Sequence, residues 1–198
     1  MKLSEHLASP SEAALSHLSE LNGLRLSPHF TLGELTKTSI KTEDGNIPSR
    51  VAIENLRNLC ENWLEDLRYS YNTLYHEVSP CAALSRDDKK GVIPSTTPVI
   101  PSAAEGSLII NSGYRSPEVN KRVGGAATSN HVTGCAVDIH VTGFEQAIRY
   151  ASILLDISDG THRDYDELFI EKNSSGNHWI HFAVRPKDNR RKSGFLKV

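Results

Sequence analysis

The chain reads as one domain of mixed helix and strand, and three observations predict that class. A long segment in the first half carries apolar residues at helical spacing. Several short runs in the second half are alternating or continuously apolar, as strands are. Glycine, proline and asparagine clusters punctuate the joins. At 198 residues the length suits a single domain with a full core.

Taken in order, Ser11 to Leu21 carries Ala14, Leu15, Leu18 and Leu21 on one stripe after a Ser9-Pro10 start signal, and reads as a short N-terminal helix. Residues 1–29 are therefore expected to form a helical extension ahead of a main domain spanning 30–198. Phe30 to Leu35 reads as a capped turn of helix, with Thr31 as N-cap and Glu34 three residues on. Pro48 to Tyr71 is the clearest helix. Val51, Leu56, Leu59, Cys60, Trp63, Leu64 and Leu67 share a broad face, with Ser49 as N-cap. From about 75 to 106 the pattern breaks into four prolines, many hydroxyl residues and Arg86-Asp-Asp-Lys-Lys90, a surface insertion that could serve as lid or ornament. Ser107 to Ile110 reads as a short buried strand, and Pro117 to Val123 as a helix stopped by Gly124-Gly125. Ala136 to Val141 alternates as a strand, and Phe144 to Leu155 is a second good helix. Glu167 to Glu171 and Trp179 to Val184 are strand-like, joined by a hairpin turn at Asn173 to Gly176.

The bulk numbers exclude several classes. A formal net charge of −2, from 22 basic and 24 acidic residues, creates no field that favours nucleic acid or a membrane surface. The basic run Arg185 to Lys192 reads first as a solvated tail. Three widely spaced cysteines, Cys60, Cys81 and Cys135, fit neither a disulfide framework nor a cysteine-rich metal knuckle. No transmembrane stretch is visible, and Met1 to Asn22 shows no apolar signal core. The expectation is a chain made as a soluble cytoplasmic product.

The chemistry concentrates in Asn111-Ser-Gly-Tyr-Arg-Ser116, Ser129-Asn-His131, Gly134-Cys-Ala-Val-Asp138 and His178-Trp-Ile-His181. His131 and Asp138 would stand about 10 Å apart on a straight helix, too far to share an ion. Gly134 permits a sharp turn, so a loop histidine and a strand aspartate can converge. His181 is the natural third ligand. Two imidazoles, one carboxylate and an open fourth position make the usual hydrolytic zinc site. His140 and His162 read as outer or surface residues. A general base is also needed, and two groups compete. Strand parity points His178 away from His181 and leans to Glu171, whereas a bend at Asn177 could swing His178 inward. Glu171, Glu167 and Asp166 otherwise read as a charged strand edge. Arg115 could hold a carboxylate bidentately or be absorbed by Glu118, and Ser129 could bond a substrate carbonyl or carboxylate.

Ser112 to Asn120, Val123-Gly-Gly125, Ser129 to Asp138, Tyr165 to Glu171 and Trp179-Ile-His181 together resemble the zinc D-Ala-D-Ala carboxypeptidase family. The compact branch common in phages and bacteria is nearest, and Phe30 to Leu35 and Ile47-Pro48 match it too. The resemblance implies a small α+β domain with a central antiparallel sheet flanked by helices, shared with the vancomycin-resistance dipeptidase and the hedgehog signalling domain. It implies zinc on His131, Asp138 and His181, with Arg115 and Ser129 facing substrate. In better-known relatives an acidic base sits three residues before the last histidine ligand; here that position holds His178, which the resemblance puts ahead of Glu171. The implied activity is hydrolysis of D-amino-acid-containing bonds in peptidoglycan stem peptides, by a D,D-carboxypeptidase or cell-wall endopeptidase. Such an endolysin-like enzyme would act at the wall after phage-type release. The rivals are a catalytically silent zinc domain that binds wall or peptide, and a cytoplasmic D-Ala-D-Ala dipeptidase.

Overall fold

A computed structural model describes residues 20–75 and 107–198. The expected helix over 11–21 and the insertion over 75–106 lie almost wholly outside the described residues. The fold is α+β, as expected. Its helices are α1 (Leu32–Thr36), α2 (Arg50–Leu59), α3 (Glu65–Tyr75), α4 (Pro117–Arg122) and α5 (Phe144–Thr161). Its strands are β1 (Ile110–Ser112), β2 (Ala136–His140), β3 (Glu167–Lys172), β4 (His178–Ala183) and β5 (Lys192–Lys197). They form one sheet in the order β1-β2-β4-β3-β5, antiparallel except for the β3–β5 pair. Among the described residues no helix is long and apolar enough to cross a membrane.

The local signals act as their chemistry predicts. Thr31 and Glu34 close a reciprocal capping box on α1, and Ser49 accepts the Ala52 amide at the start of α2. Between α2 and α3 the helix widens into a π-helical turn, Cys60–Leu64, without breaking. All three apolar residues of that turn, Cys60, Trp63 and Leu64, are buried. Trp63 packs its ring 5.1 Å from that of Phe182 on β4, as core filling.

Alternation along the strands divides the sheet into two faces. Val137, Ile139, Leu168, Ile170, Ile180 and Phe182 turn to one side and join Leu56, Leu59, Trp63, Leu67 and Leu154 from the helices in the core. Asp138, His181, Trp179, Phe169, Glu167 and Glu171 turn to the other. The core also takes in Leu26 and Phe30, so the packed domain reaches back before residue 30.

Three expectations are corrected. The strand placed at Ser107 to Ile110 forms at Ile110–Ser112 instead. There a bulge against β2 lets Ile110 pair with Ile139 and Ser112 with Asp138. The helix expected to end at Leu155 continues to Thr161 and stops where His162 turns left-handed. Polar Ser158 hides the continuation, because its hydroxyl is consumed by the Arg163 carbonyl and Arg191. Finally, the basic run is no solvated tail. Arg185 and Arg190 both pair with Asp166, which is fully buried. Arg191 pairs with Asp159 and Asp164, and Lys192 opens β5.

Candidate metal centre

His131 sits on a short 3₁₀ turn, Asn130–Thr133, capped by the Ser129 hydroxyl. Gly134 ends that turn at φ 72°. It packs so closely on the Ala52 carbonyl of α2 that any Cβ there would overlap it. This left-handed, side-chain-free position reverses the chain and feeds Cys135 straight into β2. Asp138 is then directly opposite His181 in the β2–β4 ladder, and the loop histidine folds over both. The expected convergence is therefore a product of one glycine turn and one strand register.

The donor atoms meet at close range. His131 Nε2 is 3.3 Å, and His181 Nδ1 3.0 Å, from Asp138 Oδ1. Potential ligand atoms of all three residues lie within 4.8 Å of one another. Bonds of about 2.1 Å to a tetrahedral zinc set neighbouring ligands about 3.4 Å apart, close to the two distances from the histidines to Asp138. The residues therefore fit the metal. His131 and Asp138 are buried, and His181 is nearly so.

Each ligand is held from behind. His131 Nδ1 lies 2.6 Å from the Gly113 carbonyl oxygen. That oxygen can only accept, so Nδ1 carries the proton and Nε2 keeps its lone pair for a metal. The Gly113 segment is itself fixed, because Tyr114 N donates to the Leu35 carbonyl of α1 at 2.7 Å and Arg115 N to the His131 carbonyl at 3.2 Å. Arg115 donates to Asp138 Oδ2 and, through Nε, to Ser112 Oγ at 2.8 Å. Glu118 pairs with Arg122 instead, so it does not absorb Arg115. Buried Asn46 braces the same loop, accepting the Ser116 amide at 2.7 Å and donating to the Thr36 carbonyl.

Charge follows from this packing. Although burial works against its ionisation, the Asp138 carboxyl is held far below the usual range by His131 and His181. Burial also opposes charge on His181, yet the carboxylates of Asp138 and Glu167 push it up to about 9. A bound cation would replace that imidazolium proton at Nδ1.

The two expected bases fall on opposite faces. Glu171 shares the ligand face and pairs in register with Trp179, two positions from the Phe169–His181 pair. Burial raises its carboxyl, helped by the Asp138 charge and opposed by His181, a Trp179 hydrogen bond and His131. His178 pairs with Lys172 and lies on the helix side, its ring 5.5 Å from that of Phe144 on α5. A cavity of about 480 Å³ opens at the end of the sheet, lined by Asn111, His140, the Thr142–Gly143 link to α5, the Asn173–Asn177 hairpin, and both His178 and Trp179.

Sequence reasoning passed over Asn130 and Glu167. Asn130 Nδ2 donates to both Asp166 and Glu167, at 2.8 and 2.9 Å. Its place beside His131 and the shared parity of Glu167, Phe169 and Glu171 were the available signals.

The family model described as Peptidase M15 matches residues 102–165. That stretch carries Arg115, Ser129, His131 and Asp138, while His181 and Glu171 lie beyond it. The match, with the donor set of the site, supports a zinc peptidase. No curated protein matches the chain.

Proposed function

We propose that this protein is a zinc peptidase acting on D-amino-acid-containing peptide bonds of peptidoglycan stem peptides, as a D,D-carboxypeptidase or endopeptidase. The observation that carries the reading is the convergence of His131 Nε2, Asp138 Oδ1 and His181 Nδ1, with a carboxylate, Glu171, on the same face. These three atoms would hold the metal. Zinc there supplies Lewis acidity, acidifying water and polarising the scissile carbonyl.

The chain's own residues do the rest. Glu171 takes the proton of the attacking water and returns it to the leaving nitrogen. Its burial suits the first half of that cycle, because a carboxylate whose pKa is raised is the stronger base towards the attacking water. His178 faces α5, which supports Glu171 over His178 as the base. Arg115 holds Asp138 Oδ2, the oxygen the histidines do not face, and would offer its guanidinium to a substrate carboxylate. Ser129 caps the His131 turn and can donate its hydroxyl to a substrate carbonyl.

The test is mass spectrometry of purified stem peptides incubated with zinc-loaded protein, beside the His181→Ala and Glu171→Gln variants. Release of D-Ala, or of a split cross-link, by the parent protein alone supports the reading and names the bond. Stoichiometric zinc without any product would sink it in favour of a silent peptide-binding domain.

A further inference from the structure

Three of the four ring nitrogens at the centre have their tasks fixed by geometry. His131 Nε2 and His181 Nδ1 face Asp138, and His131 Nδ1 faces the Gly113 carbonyl. The fourth, His181 Nε2, faces Glu167 Oε2 at 3.4 Å. Glu167 therefore stands behind the imidazole, on the ring nitrogen away from Asp138.

We propose that Glu167 is the positioning residue of the centre, the acceptor that fixes His181 with its proton on Nε2 and its lone pair on Nδ1. This rests on the metal-centre reading above. A carboxylate behind a metal-bound imidazole locks ring orientation and raises the basicity of the ligating nitrogen.

Glu167 is itself unusually well held. Its Oε2 also accepts Asn130 Nδ2 at 2.9 Å, and its Oε1 accepts Arg190 Nη2 at 2.6 Å. Asn130 immediately precedes His131, so one carboxylate ties together the segments that carry both histidine ligands. Arg190 is anchored in turn by the fully buried Asp166, which Asn130 also contacts. The Asp166 carboxylate stays ionised despite burial because Arg190, Asn130 and Arg185 hold it well below its usual range. Arg190 arrives there because β5 pairs parallel to β3, with Lys192 opposite Glu167. The C-terminal strand thus reaches the metal centre through two ion pairs and one hydrogen bond.

Zinc affinity, measured by competition with a chromogenic chelator, separates a positioning role from a structural one. Glu167→Leu should bind zinc about 10–100-fold more weakly while the metal-free protein melts within a few degrees of the parent. Glu167→Gln keeps an acceptor oxygen and should recover most of the affinity. Unchanged affinity in Glu167→Leu, or no recovery in Glu167→Gln, overturns the assignment. Should Glu167→Leu fail to fold, the imidazole ¹⁵N spectrum of the zinc-loaded parent decides: Nε2 protonated and Nδ1 ligated is expected, and the reverse tautomer overturns it. A parent protein that binds no zinc would instead remove the metal-centre reading itself.

Discussion

The two faces of the sheet are built from the same strands and behave as different materials. On the helix side Ile180 and Phe182 have no solvent exposure, and the Phe182 ring packs on Trp63 and Tyr165. One residue out of phase, Trp179 and His181 stand among carboxylates and imidazoles that hydrogen bonds keep in place. The helix side stabilises by apolar area removed from water, while the other accepts the cost of gathering charge in a partly buried place. Which face a residue occupies depends on its register alone. That is why Glu171 and His178, seven apart in sequence and both near His181, have such different surroundings.

Substitutions on each side should therefore fail in different ways. His181→Ala gives the largest effect, removing stoichiometric zinc and reducing turnover to background, as metal analysis and peptide hydrolysis would show. Glu171→Gln should retain zinc and lose turnover by roughly 10²–10⁴-fold, whereas His178→Ala should stay within a few-fold of the parent. If the outcomes of these two variants are exchanged, face does not govern role here. Phe182→Ala, on the helix side, should lower unfolding free energy by about 3–5 kcal/mol in denaturant titration and leave the zinc affinity of the folded fraction intact.

A pH series sharpens the same contrast. In metal-free protein His181 is charged below about pH 9, so zinc must displace its proton. Apparent affinity should rise by about tenfold per pH unit through neutral pH and level off above pH 9. The metal-free fold should behave oppositely. His181 has its pKa raised on folding, so its pairing contributes fully below the unfolded value of about 6.5 and is lost as pH rises through about 9. Flat zinc affinity from pH 6 to 9 would mean that the pair does not hold that proton. The smallest effect belongs to Ser49→Ala, which removes the α2 cap and should cost about 1 kcal/mol of stability without touching zinc affinity or turnover.

Much of this was legible in the chain because the signals were local. The capping box at Thr31, the Ser49 cap and the Asn173 hairpin need only neighbouring residues. The convergence of His131 and Asp138 needed one further inference, that Gly134 turns the chain. Parity alone favoured Glu171, and a motif offset pulled towards His178. The structure puts the two on opposite faces of the sheet, because a shift from one face to the other takes a single residue. What stayed hidden depended on distant partners. Arg185, Arg190 and Arg191 look like a tail until Asp166, Asp159 and Asp164 meet them, and Glu167 looks like a charged edge until β5 delivers Arg190. Ser158 hides the last turns of α5 for the same reason.

The π-helical turn at Cys60–Leu64 sets the phase of one long helix that serves two clients. Upstream, Asn55 of α2 donates to the Thr133 carbonyl at 2.8 Å and steadies the turn beneath His131. Downstream, Tyr71 of α3 meets Tyr150 of α5 edge to face. Each residue of an α-helix advances the next by about 100°. A π-helical turn spends one extra residue on about the same rotation, so α2 and α3 keep their apolar faces in phase across it and Leu56 and Leu67 enter the same core. The extra residue is thus absorbed locally, and both clients are served by one continuous face.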